Sequence, residues 1–75
     1  MVRNEIKEIM QRVFELDQIN EDISQDNCGT WDSLGHLNLI VELEEAFNIS
    51  LEPEEINQMK NLDEVEKFVK LKTKK

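Results

Sequence analysis

Apolar residues recur at intervals of four and three positions along the first part of this 75-residue chain. A helix completes one turn in about 3.6 residues, so residues at these intervals lie on one face. The stripe consists of Val2, Ile6, Ile9, Val13 and Leu16. It predicts a helix over residues 2–16. No stretch of the chain alternates as a half-buried strand would, and the sequence therefore predicts an all-α fold.

Start signals indicate three further helices. Asp32 is suited to cap a helix over residues 33–47, because its carboxylate can accept from the free N–H groups of the first turn. Pro53 fits the first position of a short helix. Asn61 precedes a last helix, and Glu64 follows it at capping-box spacing. The prediction is a small four-helix bundle of three longer helices and one short helix.

Composition narrows the partners. The chain holds 17 acidic and 9 basic side chains, a net charge of −8, and residues 32–59 hold seven of the acids and no base. Such a surface repels nucleic acid and anionic membranes, so we expect partner proteins with basic surfaces. The longest apolar run, Leu39-Ile40-Val41, is too short to span a bilayer, so we expect no membrane insertion. The length fits a single domain, residues 1–75, which we expect to be a monomer. The single cysteine, Cys28, forms no disulfide within the chain and favours a cytoplasmic location.

Patterns typical of enzymes and metal sites are missing from the sequence. His36 is the single histidine, no pair of cysteines has metal-ligand spacing, and Gly29 and Gly35 form no phosphate-binding loop. We therefore expect a binding or carrier module without catalytic residues and without a metal.

The helix predicted over residues 33–47 has two apolar faces when its residues are placed at about 100° intervals. The expected core face is made of Leu39, Ile40, Leu43, Ala46 and Phe47, with His36 beside them. The opposite face holds Ser33, Leu34, Leu37, Val41, Glu44 and Glu45. Either the long loop over residues 17–31 covers this second face, or the face is a docking patch with an acidic rim. The interleaved acids favour docking.

Three apolar residues of that loop, Ile19, Ile23 and Trp31, are expected to pin it over the core. Because His36 lies beside the expected core face of the helix, we expect it to be a buried or half-buried packing residue. Ser33 follows the Asp32 cap at a helix start, where free N–H groups and the helix dipole favour an attached phosphate. With His36 facing the core, no base is placed to activate Ser33 for hydrolysis.

Asp32-Ser33-Leu34 at the start of an acid-studded helix resembles the acyl carrier protein family. Length, acidity, the long first loop, and residues 43–47 and 53–56 share the resemblance, which covers nearly the whole chain. It implies that Ser33 carries 4′-phosphopantetheine, attached from coenzyme A by a phosphopantetheinyl transferase. The terminal thiol would hold acyl groups as thioesters and present them to acyl-transferring and acyl-modifying enzymes.

The resemblance also implies roles for the surface around Ser33. Partner enzymes with basic docking surfaces would contact both acidic and apolar side chains. The implied acidic contacts are Asp32, Glu44, Glu45 and Glu54. The implied apolar contacts are Leu37 and Val41, and Leu34 is expected beside them because it lies on the same second face of the helix.

The cargo and the pathway stay open at this point. Trp31, Gly35, His36 and Asn38 differ from the residues usual in carriers of fatty acid synthesis. They look more like free-standing carriers that serve polyketide, peptide or polysaccharide-linked chemistry. The Gly-x-His/Asp-Ser pattern of peptidyl carriers is missing before Ser33, so an aminoacyl cargo is an alternative that the motif does not favour. An acidic helical adaptor without a prosthetic group is the rival function.

Overall fold

The computed structural model describes residues 2–73 and shows four helices in them. These are α1 (Val2–Phe14), α2 (Ser33–Phe47), α3 (Pro53–Gln58) and α4 (Leu62–Thr73). The predicted all-α bundle of three longer helices and one short helix is confirmed. Met1, Lys74 and Lys75, which belong to the predicted domain, lie outside the described residues.

The first helix ends earlier than the apolar stripe suggests, so the predicted boundary at residue 16 is wrong. Glu15 has a left-handed backbone (φ 55°), and the Leu16 N–H donates to the Gln11 carbonyl at 3.0 Å. This bond is typical of the Schellman motif, which satisfies the last carbonyls of a helix. Leu16 still packs against the core, but it does so from the loop.

The second helix has the predicted bounds. Asp32 Oδ1 accepts from the Gly35 N–H at 2.8 Å, and Asn48 ends the helix in a left-handed conformation (φ 55°). The buried apolar side chains of α2 are Leu39, Ile40 and Leu43. Ala46 was expected on the same face but is exposed, because it lies at the edge of the buried arc.

Capping interactions also fix the starts of α3 and α4. Pro53 is the first residue of α3, and the preceding Glu52 forms a reciprocal capping box with Glu55. The Glu64 N–H donates to Asn61 Oδ1 at 2.8 Å, as the spacing of these residues predicts. Residues in the short connectors thus fix where both helices begin.

The segment between α1 and α2 contacts the core and the start of α4 at several points. Ile23, Cys28 and Trp31 are buried in it, and Ile19 packs partly on the core. The Leu62 N–H donates to the Ile23 carbonyl at 3.2 Å, which joins the loop to the start of α4. The prediction of a loop pinned over the core is confirmed. The loop ends with the buried Trp31 next to the start of α2.

The helices enclose one apolar core. α1 packs against both α2 and α4. Phe14, Leu39, Met59 and Val65 are fully buried in this core. Within residues 2–73, no helix has the length and apolar character needed to cross a membrane.

Candidate functional site

Ser33 is the first residue of α2 and is exposed. The first intrahelical hydrogen bond runs from the His36 N–H to the Asp32 carbonyl at 2.8 Å. The N–H groups of Ser33 and Leu34 therefore precede the helical ladder, at the positive end of the helix dipole. The Asp32 carboxylate is engaged with the Gly35 N–H rather than directed at the Ser33 hydroxyl. This arrangement presents a hydroxyl to solvent at an end that favours a phosphate.

Gly35 holds the preceding loop close to this helix start. A Cβ built on Gly35 would lie 2.3 Å from the Thr30 carbonyl oxygen, so no side chain fits there. The loop therefore crosses the first turn of α2 in direct contact with its backbone. Sequence reasoning did not identify this role, although a glycine in the first turn of a helix is an available signal because it is a poor helix former.

Trp31 and His36 connect this junction to two other helices. The Trp31 ring stacks on Phe14 of α1 with centroids 5.1 Å apart, and its Nε1–H donates to His36 Nδ1 at 3.0 Å. His36 Nε2 lies 2.8 Å from the Ile56 carbonyl of α3, to which it donates. His36 is half-buried, as predicted. With both ring nitrogens engaged, His36 cannot act as a base for Ser33, which argues against hydrolysis.

A cleft of about 510 Å³ opens next to Ser33, between α2, α3 and the end of the first loop. Its lining consists of Gln25, Trp31, Asp32, Ser33, His36, Leu37, Ile56, Asn57 and Lys60. Most of these side chains are polar. Lys72 of α4 pairs with Glu55 at 3.0 Å and so fixes α3, which forms one side of the cleft. The Glu52 N–H and Lys72 together lower the pKa of Glu55, which keeps this pair charged.

The second apolar face of α2 is not covered by the loop. Leu34, Leu37 and Val41 are 68%, 58% and 52% exposed, and we call these three residues the α2 patch. Among the acids expected around it, Asp32, Glu45 and Glu54 are exposed. The α2 patch and Glu45 lie on the same helix as Ser33, Asp32 directly precedes that helix, and Glu54 lies on α3.

Glu44 differs from the other acids expected at the docking surface. It is half-buried, and its Oε2 accepts from the Leu51 N–H at 2.9 Å. Glu44 therefore fixes the connector between α2 and α3. Within the described residues, no group of three or more His, Cys, Asp or Glu side chains is placed to hold a metal ion.

The chain matches a family model, curated relatives and a solved structure, and these matches agree with one another. Residues 4–69 match the family model described as "Phosphopantetheine attachment site". The D-alanyl carrier protein of Lactococcus lactis subsp. lactis is 39% identical over 59 residues, which are 76% of this chain and 75% of that protein. A D-alanyl carrier protein of Lactococcus lactis subsp. cremoris is 37% identical over 59 residues, with the same coverage of both chains.

A solved structure resembles the chain over nearly its whole length. The solution NMR structure of a holo acyl carrier protein from Geobacter metallireducens gives a TM-score of 0.85 at 32% identity. The match covers 95% of this chain and 84% of that one. The region matched by the family model includes Ser33, the α2 patch and α3.

Proposed function

The chain therefore belongs to the family of phosphopantetheine-binding carrier proteins, and we propose that Ser33 is the residue to which its prosthetic group is attached. The observation that carries this proposal is the exposed Ser33 hydroxyl at the N-terminus of α2. The match over residues 4–69 confirms the family expected from Asp32-Ser33-Leu34.

Members of this family are carriers and not catalysts, and the prosthetic group is covalently attached 4′-phosphopantetheine. The sequence-based predictions of a non-enzyme and of this group are confirmed. The residues present fit the group, because a solvent-exposed hydroxyl and the first N–H groups of α2 suit a phosphodiester at this point. The group supplies a thiol that holds acyl groups as thioesters.

The chain's own residues provide the attachment site of the prosthetic group and a docking surface for partner enzymes. Asp32 and Gly35 fix the helix start and thereby the position of Ser33. The α2 patch offers apolar contact next to the anchor, and exposed Glu45 and Glu54 offer charge to basic partner surfaces. A phosphopantetheinyl transferase and the enzymes that load, modify or receive the acyl group would dock here in turn.

For the cargo, we propose a specialised acyl pathway rather than housekeeping fatty acid synthesis, because Trp31, Gly35, His36 and Asn38 differ from the residues usual in carriers of fatty acid synthesis. The relatives named D-alanyl carrier proteins favour an aminoacyl cargo as a second candidate, which the sequence motif alone did not favour. A cytoplasmic location fits both candidates, because the chain has a single cysteine and so no internal disulfide.

Incubation with coenzyme A, Mg²⁺ and a phosphopantetheinyl transferase tests the attachment site by intact mass. We expect the native chain to gain one phosphopantetheine and Ser33→Ala to gain none. Ser50→Ala is the matched control, because Ser50 is also exposed but lies in the connector after α2. Modification of Ser33→Ala would refute the proposed anchor. An unmodified native chain whose binding to a basic partner survives Ser33→Ala would instead support the adaptor.

A further inference from the structure

Trp31 and His36 stand between Ser33 and the core of the bundle. Trp31 is 2% exposed, and its ring stacks on His36 with centroids 6.2 Å apart. The hydrogen bonds from Trp31 to His36 and from His36 to the Ile56 carbonyl continue this layer from the first loop across α2 to α3. We call Trp31, His36 and the backbone of Ile56 the Trp31–His36 wall.

The hydrogen bonds of the wall assign one tautomer to His36. The Ile56 carbonyl only accepts, so His36 Nε2 carries the hydrogen, and Nδ1 accepts from the Trp31 indole. Both donors of the wall are therefore used by partners inside the wall. Opening the layer would leave the indole N–H of a buried Trp31 without its acceptor, which is costly.

The interior behind the wall is filled. Phe14 packs against the inner side of Trp31, and Phe14, Leu39 and Met59 are fully buried. Native cores are packed about as densely as organic crystals, so an additional aliphatic chain would have to displace these side chains. On the outer side, the cleft beside Ser33 mixes polar groups, among them Gln25, Asn57 and Lys60, with apolar groups of Leu37 and Ile56. Because this cleft is open to solvent and only partly apolar, it shields only part of a long aliphatic chain from water.

From this arrangement, and resting on the proposed attachment at Ser33, we propose that the Trp31–His36 wall keeps the acyl cargo out of the core. The cargo occupies the cleft beside Ser33 or the solvent next to it. The carrier is therefore built for short acyl groups, including those with polar atoms, and not for long aliphatic ones. Trp31 and His36 act as positioning residues that set the class of cargo.

The test compares acetyl and octanoyl groups loaded on the arm of the holo protein and follows amide NMR resonances of Leu39 and Met59. The indole N–H of Trp31, the single tryptophan in the chain, is a further reporter within the wall. We expect the acetyl and octanoyl forms of the native chain to share these resonances and to have the same thermal midpoint. In His36→Ala, octanoyl but not acetyl should shift the Leu39 and Met59 amides.

Asn38→Ala is the matched control, because Asn38 is exposed on the same helix and should leave the exclusion intact. Trp31→Phe is a second opening variant if His36→Ala does not fold, because it keeps a stacked ring but removes the indole donor. Octanoyl-dependent shifts of Leu39 and Met59 in the native chain would overturn the inference, as would their absence in both opening variants. Failure to add any arm would instead refute attachment at Ser33, and this inference with it.

Discussion

Gly35 is a residue whose missing side chain shapes the site. Its position in the first turn of α2 lets the Thr30 carbonyl approach to a distance at which a Cβ would clash. The oxygen belongs to the backbone, so it cannot move away as a flexible side chain would. The loop end, the Asp32 cap and Ser33 are therefore positioned together by one close contact.

Gly35→Ala should destabilise the fold, although alanine is the better helix former by about 1 kcal/mol. We expect the free energy of unfolding to fall by about 1–3 kcal/mol, because the loop or the helix start must shift. Urea denaturation measures this change. Gly29→Ala is the control, because a Cβ there meets nothing within 4 Å and should change stability by less than about 0.5 kcal/mol. Equal effects of both substitutions would contradict the role of the Thr30 contact.

Single residues also show how far sequence reasoning reaches. Asp32 was predicted as a cap because a capping carboxylate acts on groups close along the chain. The bonds from Trp31 through His36 to Ile56, and from Leu51 to Glu44, were not predicted. The two bonds that reach Ile56 and Leu51 depend on how α2, α3 and the connector meet in space. Residue type alone does not fix that arrangement.

At the scale of elements, α2 packs one face against the core and exposes the other face to solvent. Placing its residues at helical intervals separated Leu39 and Leu43, which are buried, from Leu37 and Val41, which are exposed. The same helical spacing placed Ala46 on the core face, but Ala46 lies at the margin of that face and is exposed. Helical spacing also does not predict the hydrogen bond that the Glu44 carboxylate accepts from the connector. Periodicity thus fixes faces well and edges poorly.

Leu37→Ala should impair docking without harming the fold. Leu37 lies at the centre of the α2 patch, and apolar groups at the centre of an interface carry much of its binding energy. We expect KM for a phosphopantetheinyl transferase to rise about tenfold, which corresponds to about 1.4 kcal/mol. The urea midpoint should stay unchanged.

Leu71→Ala provides a closely matched comparison. Leu71 and Leu37 are both 58% exposed, but Leu71 lies on α4 and is not part of the α2 patch. The α4 variant should keep the native KM. If both leucine variants raise KM equally, the effect is not specific to the α2 patch and the proposed docking surface is wrong.

At the scale of the whole molecule, a cluster of ion pairs joins α1, the first loop and α4. Arg3 of α1 contacts Glu21 in the loop and both Asp63 and Glu66 of α4, each at 2.6 Å. The hydrogen bond from Arg3 lowers the pKa of Glu66, with Lys70 adding to the effect and desolvation opposing it. The acidic chain thus places one of its few cations where three segments meet.

The lowered pKa of Glu66 predicts how stability changes with pH. A carboxylate whose pKa is lower in the folded state contributes stability above its unfolded pKa, which is about 4.3. That contribution is lost as the pH falls through the lower folded value. Glu66→Gln should therefore lower the urea midpoint at about pH 7 and should lose less stability than the native chain on acidification.

Glu8→Gln is the control for this prediction, because Glu8 is an exposed acid on α1. It removes the same charge without touching the Arg3 cluster. Urea midpoints of the three proteins across the acid range measure the difference. A Glu66→Gln curve parallel to those of the native chain and of Glu8→Gln would show that the cluster adds no pH-dependent stability.

Locating the phosphopantetheine on the protein made by its native host tests attachment at Ser33 most directly. The measurement is tandem mass spectrometry of peptides from protein purified from its native host. Attachment at Ser33 predicts one phosphopantetheine per chain, on the peptide that contains Asp32-Ser33-Leu34, with fragment ions that place it on Ser33. A chain without the group, or a group on any other residue, would contradict it.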